Sequence, residues 1–407
     1  MRLRVALVGG PMYDPLYQAI PAFEREHGIA VEVVAELPHP ELNAFVRRAF
    51  ESGGCDLDLL STHTKYAPSQ AEWLSPLDDI LRPEEVADLL PRAAELSRAG
   101  RRLLQVPRNL DVRLLHYRRD LFEDASERAA FEARYGRPLR VPETWTELAD
   151  VAEFFTRPGL WGFVFPGRDS GLFGSFYELL VAAGGDLFDV ALRPAFDSDA
   201  GVWAADYLAE LHHRRQVTPR ELTAWHYDEI SLAFREGRSA MVCDWPGSYH
   251  LYTSPRTCAV ADRLGLAALP AGRAAIRAGY AGCHSFAIAA GSRHRDEAAA
   301  LLRHLTSFDA QLGEARRGAI PCRESALRQV RAEAPAGSAE ARRWDLLSEA
   351  EHTMIIPPRF AAYPRCEDAI WHSIQRAMTG EWTPEDAVRY AALQILPIVG
   401  AGAAVRS

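Results

Sequence analysis

The sequence predicts an α/β protein built as two lobes. Strand-like runs and helical stretches alternate along most of the chain, and 407 residues exceed the roughly 100 to 200 that one compact unit usually holds. Several of the short strands also run straight into polar or aromatic loops, as at the carboxyl edge of an open α/β sheet, where ligands usually bind.

The elements follow in order. Arg4 to Val8 is a β-prone apolar run, followed by the loop Gly9-Gly10-Pro11-Met12-Tyr13. Asp14 is placed to cap a helix, and Pro15 can occupy its first turn, where a missing N–H costs nothing. Leu16, Ile20 and Phe23 continue at helical spacing, His27-Gly28 ends the helix, and Ile29 to Ala35 is a second strand. A helix is predicted over Pro40 to Glu51 and a strand over Asp56 to Leu60, with the polar loop Ser61 to Tyr66 at its carboxyl end. This order predicts a mostly parallel sheet covered by helices.

Leu103 to Val106 is a short strand candidate. Pro107 to Asp111 then reads as a junction between lobes, and Val112 to Tyr117 as the next strand. Thr144 stands three residues before Glu147, the spacing of a capping box, and Leu148, Val151 and Phe155 form the inner face of the helix that follows. Gly162 to Phe165 reads as strand, Phe176 to Ala183 and Trp203 to His212 as helix, and Ala240 to Asp244 as a strand running into Trp245-Pro246-Gly247-Ser248-Tyr249. Pro and Gly break the regular element there, where an aromatic ring can face a cleft. Leu266 to Leu269 and Ser285 to Ala290 are further strands, separated by a loop that carries Tyr280. Glu297 to Thr306 is helical, Ile370, Ile374 and Met378 share a helix face, Gly380 is a C-cap candidate, and Thr383-Pro384 opens the last helix.

Charge and composition remove several function classes. The net charge is −9, and the arginine pairs at 47–48, 101–102 and 118–119 form no long basic run, so nucleic acid is not the expected partner. Lys65 is the single lysine, and Thr64 before it does not complete a phosphate-binding P-loop. No His-Glu-x-x-His helix is present, and Ser170 in Gly167-Arg168-Asp169-Ser170-Gly171 is misplaced for a nucleophile elbow. No metal or cofactor is expected. Cysteines at 55, 243, 258, 283, 322 and 366 fix neither a pairing nor a compartment. No apolar run approaches the roughly 20 residues of a membrane span, and the opening residues lack the pattern of a signal peptide.

What remains is a polar and aromatic set: Tyr13, His63, Lys65, Asn109, Asp111, Asp169, Trp245, Tyr249, Tyr280, Arg323, Arg359 and Tyr363, with Met12 beside Tyr13. A carbohydrate calls for this mixture, because its hydroxyls need donors and acceptors while the C–H face of its ring packs on an aromatic side chain. Trp245 is the leading candidate for that aromatic platform.

Several segments in order carry a resemblance. They are Trp73-Leu74-Ser75-Pro76-Leu77-Asp78, Leu115-His116-Tyr117-Arg118-Arg119-Asp120-Leu121-Phe122, Pro142-Glu143-Thr144-Trp145-Thr146-Glu147-Leu148, Phe234-Arg235-Glu236-Gly237-Arg238-Ser239-Ala240-Met241 with Trp245 after it, Ile320-Pro321, and Gly380 to Pro384. In this order the chain resembles the family 1 extracellular solute-binding proteins of sugar-importing ABC systems, the maltose-binding-like group. Arg118 and Arg119 stand where that group more usually has Asn-Lys.

The resemblance implies a periplasmic-binding-protein-like fold, two lobes with a hinge and an interlobe cleft. Lobe one is expected at 1–110 and 256–307, and lobe two at 111–255 and 308–407. Cleft contacts are expected at Met12-Tyr13, His63-Lys65, Asn109-Asp111, Asp169, Trp245, Tyr280-His284 and Arg359-Tyr363. The implied function is reversible binding of a small neutral carbohydrate, mono- to trisaccharide, by a non-enzymatic monomer that delivers it to ABC permease subunits. The implied location is periplasmic or extracellular, at the membrane. The alternatives are an anionic or phosphorylated sugar met by Arg168, Arg323 and Arg359, and a glycoside-processing enzyme using Asp111 and Asp169.

Overall fold

The computed structural model describes residues 1–53 and 56–404. Its strands are β1 (Arg2–Val8), β2 (Ala30–Leu37), β3 (Leu59–His63), β4 (Arg98–Ala99), β5 (Arg102–Leu103), β6 (Val106–Val112), β7 (Leu114–Arg118), β8 (Trp161–Val164), β9 (Ser239–Asp244), β10 (Leu264–Ala267), β11 (Gly279–Ile288) and β12 (Met354–Ile355). They form two main sheets. The first has the order β12-β11-β3-β1-β2, with β6 also paired to β11; the second runs β10-β7-β9-β8. In the first sheet β1 pairs in parallel with β2 and β3, while β11 is antiparallel to β3 and β6.

Each sheet has its own apolar core. One gathers Leu3, Val5, Leu7, Phe23, Leu59, Phe286 and Leu302; the other gathers Phe155, Phe163, Phe173, Phe176, Met241, Ile370 and Ile374. A smaller cluster of Val112, Leu114, Ala281, Leu312, Ala326 and Trp344 lies where the chain crosses between them.

Local chemistry accounts for many of the boundaries. Gly28 takes a left-handed φ of 66° and closes the helix Asp14–His27 with a bond from its N–H to Glu24 O. Thr144 and Glu147 form the reciprocal capping box expected of them. Asp14 does not cap: Tyr13 is the N-cap, and no side chain bonds to the exposed amides there.

Three strands differ from the sequence reading because long-range pairing outweighs local signals. β3 extends into Ser61–His63, where β11 supplies a partner ladder. β11 begins at Gly279, so Tyr280 is a strand residue and not a loop residue. β6 runs through Pro107, which is tolerated because the β6–β11 register shifts between His284 and Ser285, the residue opposite Pro107.

The chain passes between the sheets at Val112–Leu114, between Ala267 and Gly279, and between Ile355 and Tyr363. Residues 256–307, expected together in lobe one, are therefore divided: β10 is bonded to β7 in the second sheet, and β11 belongs to the first. The stretch from 308 is divided as well. Helices Phe308–Ala315, Glu324–Glu333 and Ala339–Ala350 join the crossing cluster, β12 pairs with β11, and the second core takes over at helix Tyr363–Met378.

Cys243, Cys258, Cys283, Cys322 and Cys366 are free and buried, whereas Cys55 lies outside the described residues. No helix among the described residues is long and apolar enough to cross a membrane.

Candidate functional site

The carboxyl end of β1, the turn after β3, the middle of β6 and β11, and the end of β9 converge between the sheets. They enclose a cavity of about 100 Å³. Met12, Tyr13, His63, Lys65, Asn109, Asp111, Trp245, Tyr280 and His284 all line it, and the fold thus brings together nine of the fourteen positions named from sequence. His39, Ser170, His226, Tyr227, Asp228, Ser231, Arg235, Asp244 and Ser248 line it too and were missed.

Trp245 closes one wall. Its ring centroid lies 5.3 Å from that of Tyr227 and 6.1 Å from that of Tyr280. The ring can settle there because residue 282 is glycine: a Cβ at that position would stand 3.2 Å from both the Trp245 ring and His63 Nε2. Gly247, two residues beyond Trp245, donates its N–H to Asp111 Oδ2 at 2.8 Å, and Asp111 Oδ1 accepts from Val112 N–H at 2.9 Å. Burial pushes the Asp111 carboxyl up to about 7, against the pull of Arg343 and these two amides.

Histidines form another part of the lining. The ring centroids of His39 and His284 are 4.9 Å apart, and His63 lies 5.4 Å and 5.3 Å from them. Burial, aided by nearby positive charge, holds all three well below the usual histidine range, with His284 and also His226 at about 3. The imidazoles are therefore neutral near pH 7. His63 Nδ1 lies 3.1 Å from the backbone N of Lys65 and Nε2 lies 3.0 Å from that of Cys283, of which the neutral ring accepts from one, and Tyr13 Oη meets His284 Nε2 at 3.2 Å. His39 Nε2, His226 Nε2, His284 Nδ1 and Asn109 Oδ1 are buried without a protein partner. Such atoms suit a ligand that both donates and accepts hydrogen bonds.

Carboxylates hold two of the cations at or beside the cavity, and neutral groups hold the third, Arg235. Lys65 Nζ pairs with Glu367 Oε1 at 2.7 Å, and Arg235 bonds Ser231 Oγ and the Thr257 carbonyl. Arg108, stacked near the Tyr13 ring, pairs with Glu314 at 2.6 Å. Among the described residues no group of three His, Cys, Asp or Glu side chains is arranged to hold a metal ion.

Five expected contacts lie elsewhere. Tyr249 starts a helical turn that carries its ring away from the cavity to Arg343, 4.7 Å from the guanidinium carbon. Arg323 pairs with Asp88 at 3.1 Å and bonds the Thr306 carbonyl, bracing the segment after Pro321. Arg359 bonds the carbonyls of Thr64, Glu95 and Arg98. Tyr363 is buried in the second core and donates to Glu367. Asp169, paired with Arg168 at 3.0 Å, faces a second, outer cavity of about 420 Å³. That cavity is also lined by Arg47, Trp73, Asp368 and Trp371. Asp111 and Asp169, the pair considered for glycoside hydrolysis, thus line different cavities.

Residues 9–312 match the sequence profile of the bacterial extracellular solute-binding proteins. A Sinorhizobium fredii protein described as a probable amino-acid ABC transporter periplasmic-binding protein is 25% identical over 335 residues, 80% of this chain and 74% of the relative. The maltose-bound T. maritima MalE3 structure superposes with a TM-score of 0.85 at 26% identity, covering 97% of this chain and 98% of that one. A Thermotoga lettingae ABC transporter solute-binding protein bound with α-D-tagatose gives a TM-score of 0.83 at 26% identity, covering 98% and 100%.

Proposed function

The chain belongs to the bacterial extracellular solute-binding proteins, and from that membership we propose that it reversibly captures a small neutral sugar or polyol between its lobes and delivers it to the permease subunits of an ABC importer. It acts as a monomer without covalent chemistry, at the outer side of the cell membrane. The observation that carries the reading is the make-up of the inner cavity: the aromatic faces of Trp245, Tyr227 and Tyr280 together with neutral imidazoles, Asn109 and Asp111, and a Lys65 ammonium already paired with Glu367. Aromatic rings accept the C–H face of a sugar, and unpartnered neutral donors and acceptors accept its hydroxyls.

The same features weigh against other ligands. An amino acid or a sugar phosphate brings an anion that needs an uncommitted cation, and Arg168, Arg323 and Arg359 are engaged by Asp169, Asp88 and backbone carbonyls. The inner cavity suits a single sugar ring or an open-chain polyol, and the outer cavity offers room for a longer ligand.

The test is mass spectrometry of ligand released from gently purified protein, followed by calorimetric titration with maltose, tagatose, mannitol and a panel of amino acids. Recovery of an unaltered sugar or polyol, and binding of at least one from the panel, is the expected result. Release of an amino acid, or titration by amino acids alone, overturns the proposal.

A further inference from the structure

Resting on the reading that the inner cavity is the ligand site, we propose that Lys65 couples ligand capture to lobe closure: its ammonium contacts the ligand on one side and, through Glu367, ties the first lobe to the second on the other.

Lys65 lies on the short turn that leaves β3 of the first sheet, and Glu367 lies on helix Tyr363–Met378, packed into the second core. Their side chains are 3% and 4% exposed and meet at 2.7 Å, so the pair is a buried bond between lobes. The carboxylate is fully used. Glu367 Oε1 accepts from Lys65 and from Tyr363 Oη at 2.9 Å, and Oε2 accepts from Tyr66 Oη at 3.1 Å. The ammonium is not. Of its three donors, one goes to Glu367 and one to Tyr280 Oη at 3.3 Å. Nζ also lies 4.9 Å from the centroid of the Tyr66 ring. Lys65 lines the inner cavity while Glu367 lines the outer one, so the pair stands in the wall between them, where a ligand hydroxyl would meet the third donor.

The residue type fits this task. Every other basic residue in the chain is an arginine. A planar guanidinium directs its donors into one plane and suits two-pronged contacts, whereas an ammonium directs three donors into separate directions, here a carboxylate, a phenol and a cavity. Burying the pair costs hydration of both charges, so the pair alone holds closure only in part. A ligand oxygen on the third donor adds a bond that exists only when the lobes are together, and such a difference between states is what shifts a population toward closure.

The test compares wild type, Glu367→Gln, Lys65→Arg and the double variant Lys65→Met/Glu367→Met in the full chain. Small-angle scattering is recorded without ligand and with maltose or tagatose, alongside calorimetric affinity and thermal melting. Ligand-free wild type is expected to be more compact than ligand-free Glu367→Gln, and sugar affinity of Glu367→Gln and Lys65→Arg is expected to fall about tenfold or more. Melting of the ligand-free variants should move little, because the open form hydrates the released charge. The double variant should close again without ligand yet bind sugar weakly, since it lacks the ammonium. Equal radii for ligand-free wild type and Glu367→Gln overturn the interlobe tie whatever the sugars do. A lowered melting point with unchanged radius and affinity assigns the pair a purely structural role and also overturns it. Failure of every sugar to bind wild type brings down the ligand-site reading and the coupling with it, while the ligand-free radii still decide the tie.

Discussion

The backbone N–H of Gly247 bonds the carboxylate of Asp111 at 2.8 Å, tying the loop that carries Trp245 to the strand from which the chain crosses between sheets. A Cβ on residue 247 would collide with Asp111 Oδ2 and come within 3.2 Å of Met12 Cε. Gly247→Ala should therefore displace the Trp245 loop and cost about 1 to 3 kcal/mol of stability. Calorimetry with the protein's sugar should show a loss of affinity for Gly247→Ala. Unchanged affinity would mean that the loop is not set by this contact.

Trp245 is only partly buried, so its ring supports the cavity more than the core. Trp245→Ala should weaken sugar binding by about 2 kcal/mol, near 30-fold, while shifting the melting midpoint by only a few degrees. A large drop in melting temperature with affinity intact would make the ring a packing residue.

Trp371 lines the outer cavity and has no place in the inner one. Trp371→Ala should lower affinity for a two-ring probe such as maltose and leave a one-ring probe such as tagatose unaffected. Equal effects on both would rule out an outer position for the second ring.

The histidines around the inner cavity make stability depend on acid. His39, His63, His226 and His284 titrate well below the unfolded value, so between about pH 6.5 and about pH 3 the unfolded chain binds more protons and stability falls as pH falls. Asp111 and Asp244, both pushed up to about 7 chiefly by burial, act in the opposite sense, since protonation favours the folded form of each. The imidazole contribution is read from the slope of the urea midpoint between about pH 6.5 and about pH 4. His284→Asn should flatten that slope. A slope unchanged by the substitution would place the acid sensitivity elsewhere.

Arg113, at the first crossing, is fully buried and paired with Glu178, whose Oε1 also accepts the Tyr280 N–H at 2.7 Å. Glu178→Gln removes the carboxylate paired with a fully buried guanidinium and should cost about 3 to 5 kcal/mol. Equilibrium urea unfolding checks this, and a loss below about 1 kcal/mol would show that water reaches the crossing.

The sequence was most informative where a local rule decides the outcome. The left-handed turn at Gly28, the box of Thr144 and Glu147, and the break after Asp244 that presents Trp245 are written in neighbouring residues. It was least informative where partners come from afar. Pro107 looked like a junction because the irregular register that admits it belongs to β11, some 180 residues later. His39 and His226 carry no signal of their own, since the first opens an ordinary helix, the second precedes one, and each acquires meaning when the two lobes face each other. Tyr249 was misread for a related reason: its proximity to Trp245 in sequence does not survive the helical turn that rotates it onto Arg343.

The solitary lysine also has a practical side. Apart from the chain's own amino terminus, Lys65 is the only primary amine in the protein. Burial lowers its pKa and the charge of Glu367, together with Tyr66, more than offsets this, so the amine stays protonated and unreactive while sealed. An acylating reagent that modifies this side chain must wait for the lobes to part. The rate of that labelling, read as a mass shift on the peptide that holds Lys65 and so kept apart from labelling at the amino terminus, is a clock for opening, and a bound ligand should slow it in proportion to the time the molecule spends shut.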